Sequence, residues 1–549
     1  MSPLLLWLLL AVCCLYGAAP KAPADPRITS VHPVALRAGV TTPITVRGAG
    51  LAGARALVFS ADSVTARVAG VVEKDVDSER VAVEVTIPDG FTGPLRVRLI
   101  AARGLSNDLP LHVVAEPVSQ EPEAPVKLAG APLAMAGRLV AKGEVDTVWL
   151  EAQRGELVTF TAASGVPGFD PSLTLSEPSG SWFDESRLNR LAFNDEPLHF
   201  PGLAQDARLV HRFEKAGRYA LQIKVFSGQG GPDFTYAVRI APGRSETPSL
   251  HPPAVKTWEE RRFTRRVGEE WMNGMAERGG SMGDAVKAPV LVRASEVEPV
   301  RLSIPGIVEG RLMKPAEVHR VRLTVDKPQD LAIEVETPAA TMPRFNPVVR
   351  LLAPDGGGNE IVTNVYTKRN NNGLYMMKMI QAKSTVTLRS AGEYVLEIRD
   401  ITTDVAGDDF SYRVLVRPQM AHVGRVDVPE DRVNIEPGET KPLTVNIERE
   451  EDFKGLVLVS AEGLPAGVTA TAGMANPVER PPLPNGGRVE RYVGKPQTAT
   501  LLLSADENAK PGELPANVRV VVRTLRDGRQ SAPMPVKEIP VMVIPRRPS

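Results

Sequence analysis

The sequence predicts an all-β protein made of tandem β-sandwiches with one short helical insertion. Short runs rich in Val, Ile, Leu and Thr recur along the chain, for example residues 81–87, 95–99 and 518–523. Gly, Pro, Asp and Asn separate these runs, which is typical of antiparallel strands joined by turns. The 49 prolines and 46 glycines among 549 residues disfavour long helices. At roughly 100–200 residues per domain, the length predicts three to five domains.

The balance of charged residues does not indicate any class of binding partner. The chain carries 65 Lys and Arg against 65 Asp and Glu, and its isoelectric point is about 7.1. No global field therefore attracts nucleic acid or an anionic membrane, and we expect no nucleic-acid partner.

The N-terminal residues indicate export. Residues 4–15 form an apolar run that is shorter than the 20 or so residues of a transmembrane helix, and a small-x-small site at 22–24 precedes Asp25. We therefore expect a signal peptide over residues 1–24, with no transmembrane segment in the mature chain. Cys13 and Cys14 are the only cysteines, so the mature chain would contain no disulfide or thiolate metal site. Residues 10–13 resemble a lipoprotein lipobox, but Val12 stands where a small residue is expected, so ordinary cleavage is favoured over lipid anchoring at Cys13. The expected location is the periplasm, the cell surface or the extracellular space.

Residues 26–114 form the first predicted sandwich. They open with Ile-Thr-Ser-Val-His-Pro at 28–33, continue through Ile-Thr-Val-Arg-Gly-Ala-Gly-Leu at 44–51, and later carry Gly-Leu-Ser-Asn at 104–107. This pattern resembles the immunoglobulin-like IPT/TIG module. Residues 115–127, which contain proline and glutamate, are predicted to be a linker.

An internal repeat dominates the middle of the chain. The matching segments are Gly-Arg-Leu at 137 and 310, Phe-Asp/Asn-Pro at 169 and 345, Pro-Ser/Asp-Gly at 178 and 354, Ala-Gly-x-Tyr at 216 and 391, and Asp-Phe-Thr/Ser-Tyr at 233 and 409. Their offsets stay between 173 and 176 residues, so we predict two copies of one domain, over 128–242 and 302–418.

The first copy is similar to the bacterial pre-peptidase C-terminal (PPC) domain. The resemblance rests on Gly143, Asp146 and Trp149, on Phe-Asp-Pro at 169–171 and on Asn-Asp at 194–195, together with the Ala-Gly-Arg-Tyr segment. It implies a jelly-roll-like sandwich of the kind appended to secreted proteases and other extracellular proteins. The second copy departs from this pattern, because His319 stands where Asp146 stood and no Asn-Asp pair follows its turn.

Residues 422–545 resemble the bacterial Ig-like domains found beside PPC units. Between the two copies, residues 243–301 are predicted to be a linker containing a helix over 257–278. Phe263, Val267, Trp271 and Met275 lie four residues apart on that helix. Because acidic and basic residues balance around this stripe, docking onto a neighbouring sandwich is favoured over membrane binding.

Two motifs of enzymes occur in the sequence, but neither has the neighbouring secondary structure that its function requires. Residues 48–53 match G-x-G-x-x-G, but the residues that follow predict strands rather than the helix that would hold a pyrophosphate. Residues 279–283 match G-x-S-x-G, but no strand precedes Ser281, and the seven histidines are scattered among the units. We find no catalytic constellation and predict that the protein is not an enzyme.

Two sets of loop residues are candidate binding sites. Asp170, Asn194, Asp195 and Asp206 offer oxygens that would suit Ca²⁺ at one end of the first copy, although Asp and Asn are also ordinary turn residues. Trp182 and Phe183 could form an aromatic platform for a ligand, although loop aromatics also fold onto their own domain.

These patterns predict an exported, non-catalytic binding or scaffolding protein of the bacterial envelope or extracellular space. Its sandwiches would recognise protein or glycan at the cell surface. Two alternatives stay open: a secreted hydrolase that carries these units as accessory domains, and a structural subunit of an envelope assembly.

Overall fold

The computed structural model describes residues 25–546 with internal gaps. The gaps are 71–72, 75–78, 92–94, 121–124, 129–131, 167–168, 179–187, 195–206, 226, 244–289, 296–297, 337–346, 355–357, 360–364, 370–375, 381–382, 401–405, 408–409, 452, 477–496 and 527. The regular secondary structure of the described residues consists of strands, which confirms the predicted all-β tandem sandwich fold. The predicted signal peptide and the predicted helix at 257–278 lie outside the described residues.

The first sandwich contains ten strands. They are β1 (Arg27–His32), β2 (Ala35–Arg37), β3 (Thr41–Ala49), β4 (Ala56–Phe59), β5 (Thr65–Val68), β6 (Glu73–Lys74), β7 (Glu79–Thr86), β8 (Leu95–Ala101), β9 (Gly104–Leu105) and β10 (Leu109–Val114). One sheet has the order β1-β3-β7-β5 with β6 beside β7, and the other has β2-β10-β8-β4 with β9 beside β8. Strand β7 shows why the sheets pack: Val81, Val83 and Val85 alternate inward and are at most 1% exposed.

The second sandwich also contains ten strands. They are β11 (Val118–Gln120), β12 (Val126–Lys127), β13 (Leu133–Arg138), β14 (Val145–Ala152), β15 (Leu157–Ser164), β16 (Pro171–Pro178), β17 (Leu188–Asn194), β18 (Ala207–Arg212), β19 (Gly217–Val225) and β20 (Thr235–Pro242). The sheet orders are β11-β13-β20-β15-β18 and β12-β14-β19-β16-β17. Phe160, Phe169 and Phe213 fill the core between them.

The third sandwich repeats this strand order. Its strands are β21 (Val290–Arg293), β22 (Val300–Leu302), β23 (Gly306–Arg311), β24 (Val318–Val325), β25 (Gln329–Glu336), β26 (Pro347–Leu352), β27 (Gly358–Asn359), β28 (Val365–Arg369), β29 (Met376–Ile380), β30 (Lys383–Leu388), β31 (Gly392–Asp400) and β32 (Ser411–Pro418). The sheets run β21-β23-β32-β25-β30 and β22-β24-β31-β26-β27. The added strands β28 and β29 pair with each other in a separate two-stranded sheet.

The fourth sandwich closes the described chain. Its strands are β33 (His422–Asp427), β34 (Val433–Ile435), β35 (Thr440–Glu450), β36 (Leu456–Glu462), β37 (Val468–Ala470), β38 (Gly473–Ala475), β39 (Gln497–Ala505), β40 (Ala516–Arg526), β41 (Arg529–Gln530) and β42 (Met534–Val543). The sheet orders are β33-β35-β39-β37 and β34-β42-β40-β36-β38, with β41 beside β40. Its core is mainly aliphatic, and Phe453 is its one buried aromatic residue among those described.

Parts of both predicted linkers form strands. Strands β11 and β12 fall within residues 115–127, β21 falls within residues 243–301, and β22 begins there and ends one residue beyond, at Leu302. Each pairs in parallel with one edge of the sandwich that follows it. Short valine-containing segments here cover sheet edges that would otherwise expose unpaired backbone groups.

The first and second sandwiches share a buried junction. Asp233 accepts hydrogen bonds from Ser30 Oγ at 2.7 Å and from Arg47 Nε at 3.3 Å. Around them, Val34, Ala35, Ala136 and Ala237 form a small apolar cluster at the junction. The contact therefore combines apolar burial with charged hydrogen bonds.

The first and fourth sandwiches also meet, although they lie at opposite ends of the chain. The Asn434 amide accepts from Leu105 N and donates to Leu105 O, both at 2.9 Å. Leu105 and Ile100 pack against Met542 and Ile544. Asn434 is 1% exposed, so this backbone-like pairing is shielded from water.

Candidate functional site

The structure locates two of the four predicted calcium ligands. Asp170 directly precedes β16, and Asn194 ends β17 opposite Leu173 of β16, so both lie at the same end of that sheet. Asn194 Nδ2 donates to Arg208 O at 2.6 Å, which fixes the orientation of the side-chain amide. Asp195 and Asp206 lie outside the described residues. The calcium site stays a prediction.

The predicted aromatic platform, Trp182 and Phe183, also lies outside the described residues. Among the described residues, another candidate binding surface is the outward face of the sheet β12-β14-β19-β16-β17, which carries aromatic and polar side chains. One row across four strands joins Thr147, Gln222, Thr174 and Phe193, and the next joins Trp149, Ala220, Ser176 and Arg190. These residues alternate with core residues, so their side chains share one face. We call this surface, together with Arg218 and Lys224, the Trp149 face.

Two arginines stack on the aromatic rings of the Trp149 face. The Arg218 guanidinium carbon lies 4.1 Å from the Trp149 ring centroid, and that of Arg190 lies 5.8 Å from the Phe193 centroid. Arg218 is paired in register with Glu151 across β14 and β19, yet it contacts the indole rather than forming an ion pair with that carboxylate. Stacking uses the guanidinium plane and leaves the N–H groups at its edge available.

The same face of the third sandwich has different chemistry. By strand register, Arg322 occupies the place of Trp149 and Glu393 the place of Arg218, and these two side chains form a 2.8 Å ion pair. Arg320 pairs with Glu397 at 2.9 Å, where the first copy has Thr147 and Gln222. In the second copy, Arg320 and Arg322 are therefore neutralised by carboxylates of the same sandwich. In the first copy, Arg190, Arg218 and Lys224 form no ion pair with a described residue.

A buried tyrosine occupies equivalent places in both copies. In the second sandwich, the Tyr236 hydroxyl donates to Asp146 Oδ2 at 2.6 Å. In the third, the Tyr412 hydroxyl lies 2.6 Å from His319 Nδ1, and His319 Nε2 lies 2.7 Å from Glu317 Oε1. Burial and then the Glu317 charge raise the pKa of Tyr412. Because these side chains are inside the sandwich, they hold the fold rather than present a ligand site.

His422, Glu450 and Glu451 form the one cluster of metal-ligating residues among the described residues. His422 Nε2 lies 3.2 Å from Glu450 Oε2, and His422 Nδ1 lies 2.6 Å from Met420 O. Arg417 donates two hydrogen bonds to the Glu451 carboxylate, at 2.9 and 2.7 Å, and Met420 N donates another. A cation would compete with this guanidinium, so the cluster is better described as an ion-pair network that joins the third and fourth sandwiches.

Sequence reasoning missed both the Trp149 face and this network. In the sequence Trp149 enters only the PPC resemblance, because its stacking partner Arg218 lies 69 residues away and the contact depends on strand register. The available signal was the alternation over 145–152, which places Trp149 and Thr147 on one face. Nothing local connects His422 with Glu450, since they meet through antiparallel pairing of β33 and β35.

Comparisons with known proteins add little. No protein-family model and no curated protein matches the chain. Among solved structures, the pre-peptidase C-terminal domain of a collagenase from Bacillus anthracis is 16% identical, over 22% of this chain and 96% of that one, with a TM-score of 0.16. The surface-associated copper-binding protein CorA of Methylomicrobium album BG8 is 11% identical, over 23% of this chain and 98% of its own, with a TM-score of 0.16.

A six-domain structure of the surface layer protein SbsC is 10% identical, over 96% of this chain and 55% of that one, with a TM-score of 0.14. At these scores the similarities assign neither a family nor an activity to this chain. No helix long and apolar enough to cross a membrane occurs among the described residues. The described part of the chain is thus an all-β array of four sandwiches.

Proposed function

We propose that this chain is a non-catalytic binding scaffold of the bacterial cell surface or extracellular space, and that its sandwiches recognise protein or glycan. The observation that carries this proposal is the way the sandwiches are joined. Three junctions are described, and each contains buried or partly buried polar contacts that fix one sandwich against another. Fixed spacing and orientation are what a scaffold needs in order to present its surfaces together.

The junction between the third and fourth sandwiches is the most polar of the three. Arg417 is 2% exposed and binds both Glu334, in its own sandwich, and Glu451, which directly follows β35. Burial would lower the pKa of this guanidinium, but the two carboxylates raise it. Glu451 takes a positive φ of 53°, which a non-glycine residue keeps only when its surroundings hold it there. This arrangement orients the two sandwiches specifically.

The export prediction belongs to this proposal. A secreted or surface scaffold without cysteines in its mature part would depend on cores and junctions instead of disulfides for stability. Expression with residues 1–24 present, followed by cell fractionation and N-terminal sequencing, tests this part. A mature N-terminus near Asp25 in the exported fraction supports it, and retention of the full chain in the cytosol contradicts it.

Calcium belongs to the proposal as a ligand of the first copy. Asp170 and Asn194 would supply oxygens from one end of the sheet, with Asp195 and Asp206 as the further donors. Because a ligand that binds only the native state raises its stability, Ca²⁺ should raise the thermal midpoint of the purified chain relative to a chelator. Asp195→Ala/Asp206→Ala should abolish that shift, and an unchanged midpoint at millimolar Ca²⁺ in the unmodified chain would contradict the site.

The binding function itself is tested with the purified chain from Asp25. Immobilised matrix proteins and insoluble cell-wall polysaccharides are incubated with the chain, and both retention and product release are measured. Retention without new peptide N-termini or reducing ends supports a binding protein. Product release supports the hydrolase alternative, and no retention on any of these surfaces contradicts the proposed binding role.

A further inference from the structure

The Trp149 face carries a net positive charge, because Arg190, Arg218 and Lys224 outnumber Glu151, which is exposed opposite Arg218. It combines this charge with groups that suit sugars. We propose that it binds an anionic polysaccharide, with Arg218 and Arg190 taking the carboxylate or sulfate groups; this inference rests on the proposed binding function and gives its ligand a chemical class. The face belongs to the second sandwich only, because ion pairs replace the Trp149–Arg218 stack in the third.

The charge on this face is available to a ligand. Arg190, Arg218 and Lys224 are exposed side chains, and they form no ion pair with the described part of the chain. The rings of Trp149 and Phe193 lie 4.1 and 5.8 Å from the Arg218 and Arg190 guanidinium carbons and restrict their motion. A held guanidinium loses less conformational entropy on binding and can meet a carboxylate or sulfate with two parallel hydrogen bonds.

The residues between the two stacks are suited to sugar hydroxyls. Thr147, Gln222 and Thr174 lie in one row on β14, β19 and β16, and Phe193 on β17 ends it. With strands about 4.8 Å apart, this row spans roughly 14 Å, enough for more than one sugar ring to lie across the strands. The amide and hydroxyls can both donate and accept, as a polyhydroxylated ligand requires.

The same row argues against an acidic protein as the partner. Protein interfaces gain affinity from a desolvated centre with large apolar or aromatic anchors. The central positions of this face are instead held by Gln222, Thr174, Ser176 and Ala220, and the two small residues among them are buried. Only Gln222 and Thr174 of these four reach the surface, and this polar centre flanked by cationic side chains is better matched to a hydroxylated polyanion.

The test uses the chain from Asp25 with defined probes. Polygalacturonate supplies carboxylates, heparin supplies sulfates, dextran is the neutral control and polyglutamate is the acidic polypeptide control. Binding is measured by titration calorimetry or affinity electrophoresis in about 0.05 and 0.3 M NaCl, since salt screens exposed charges. We expect binding to at least one anionic polysaccharide, weakened by salt, with none to dextran and less to polyglutamate.

The variants separate this face from charge in general. Arg190→Gln/Arg218→Gln should weaken binding about tenfold or more, as expected for the loss of two exposed charged contacts. Arg320→Gln/Arg322→Gln, at matching positions of the third sandwich, should bind as the unmodified chain does. Both pairs lie on exposed strand faces, and equal thermal midpoints would show that the variants are folded.

Three outcomes would overturn the inference. They are no binding to either anionic polysaccharide, equal losses in the two double variants, and polyglutamate binding as tight as polysaccharide binding. The first of these leaves the proposed function standing if the chain is still retained on matrix proteins or neutral cell-wall polysaccharides. Failure on every surface would contradict both.

Discussion

His319 in the third sandwich and Asp146 in the second, 173 residues apart along the chain, each hydrogen-bond the buried tyrosine hydroxyl at the equivalent position of their own sandwich, Tyr412 and Tyr236. The difference between the copies at this position therefore preserves a hydrogen bond while changing the chemistry of the partner. In the third sandwich, Glu317 extends this hydrogen-bond network by binding His319. The matching residue of the second sandwich, Glu144, accepts a hydrogen bond from Ala141 N at 2.6 Å in the equivalent turn.

We predict that His319→Asp is tolerated better than His319→Leu. Aspartate can accept from the Tyr412 hydroxyl as Asp146 does from Tyr236, whereas leucine removes the hydrogen bond between position 319 and that buried hydroxyl. The expected cost is below about 1 kcal/mol for aspartate and about 1–3 kcal/mol for leucine. Urea unfolding of both variants measures this, and equal losses would show that the hydrogen bond is unimportant.

Removal of the buried hydroxyl should also be costly. Tyr412→Phe leaves His319 Nδ1 unpaired inside the sandwich and should reduce the free energy of unfolding by about 1–3 kcal/mol. Tyr394→Phe is the matched control, because its hydroxyl bonds Ser390 O at 3.0 Å nearer to the surface. We expect the control to lose less stability, and the reverse order in urea unfolding would contradict this account.

Gly310 is required by the packing of the same tyrosine. A methyl group on Gly310 would overlap the Tyr412 hydroxyl and approach His319, and Gly137 has the same relation to Tyr236. Gly310→Ala should therefore destabilise the third sandwich by about 1–3 kcal/mol through overpacking. Gly90→Ala, where a methyl group meets open space but φ is 67°, measures the backbone cost alone. Thermal unfolding that shows a smaller loss at Gly310 than at Gly90 would contradict the packing argument.

The Arg417 network should be much more sensitive to substitution than a half-buried ion pair on the same strand. Arg417→Met takes the guanidinium away from the buried Glu451 and from Glu334, which should cost about 3–5 kcal/mol. Arg413→Met removes the pair with Glu309, whose side chain is 30% exposed, and should cost at most about 1 kcal/mol. Calorimetry would detect the first loss as a lower or separate transition for the third and fourth sandwiches. Similar traces for both variants would show that the network does not hold this junction.

His32 should make stability depend on pH. Burial and the nearby Arg138 charge lower the pKa of His32 from 6.5 to about 4, so the folded chain binds its proton more weakly than the unfolded chain does. The stability contribution is therefore complete above about pH 6.5 and is lost as the pH falls towards 4. Burial also lowers the pKa of His211, which acts in the same direction.

Urea midpoints measured between pH 7.5 and 4 test this expectation. The unmodified chain should lose stability across that window, and His32→Gln should flatten part of the dependence. His211→Gln separates the second contribution. Identical pH profiles for the unmodified chain and His32→Gln would contradict a role for His32.

The fold class was readable from the sequence because alternation is a local signal. Val81, Val83 and Val85 lie two residues apart, and that spacing alone buries them on one side of a strand. The repeat was likewise visible as a constant offset. The sequence does not predict the hydrogen bond between Tyr412 and His319 inside one copy, because that bond depends on contacts between separate strands.

The candidate site was harder to predict. Trp149 becomes part of a surface only when Arg218 arrives from another strand, and Asn434 contacts Leu105 across 329 residues. Such contacts are set by strand register and by docking between sandwiches, neither of which leaves a local motif. The loop residues that the sequence favoured, such as Asp195 and Trp182, lie outside the described residues and remain predictions.

The contact between Asn434 and Leu105 has a consequence for how the chain is made. Domains generally fold from the N-terminus as they are synthesised. The first sandwich can therefore fold early, while Met542 and Ile544, which cover Ile100 and Leu105, are added last. A growing chain would carry an uncovered apolar surface throughout synthesis of the two middle sandwiches. Its safe maturation should then depend on late closure of the two ends, and truncation after the third sandwich should favour aggregation over a shortened but well-behaved product.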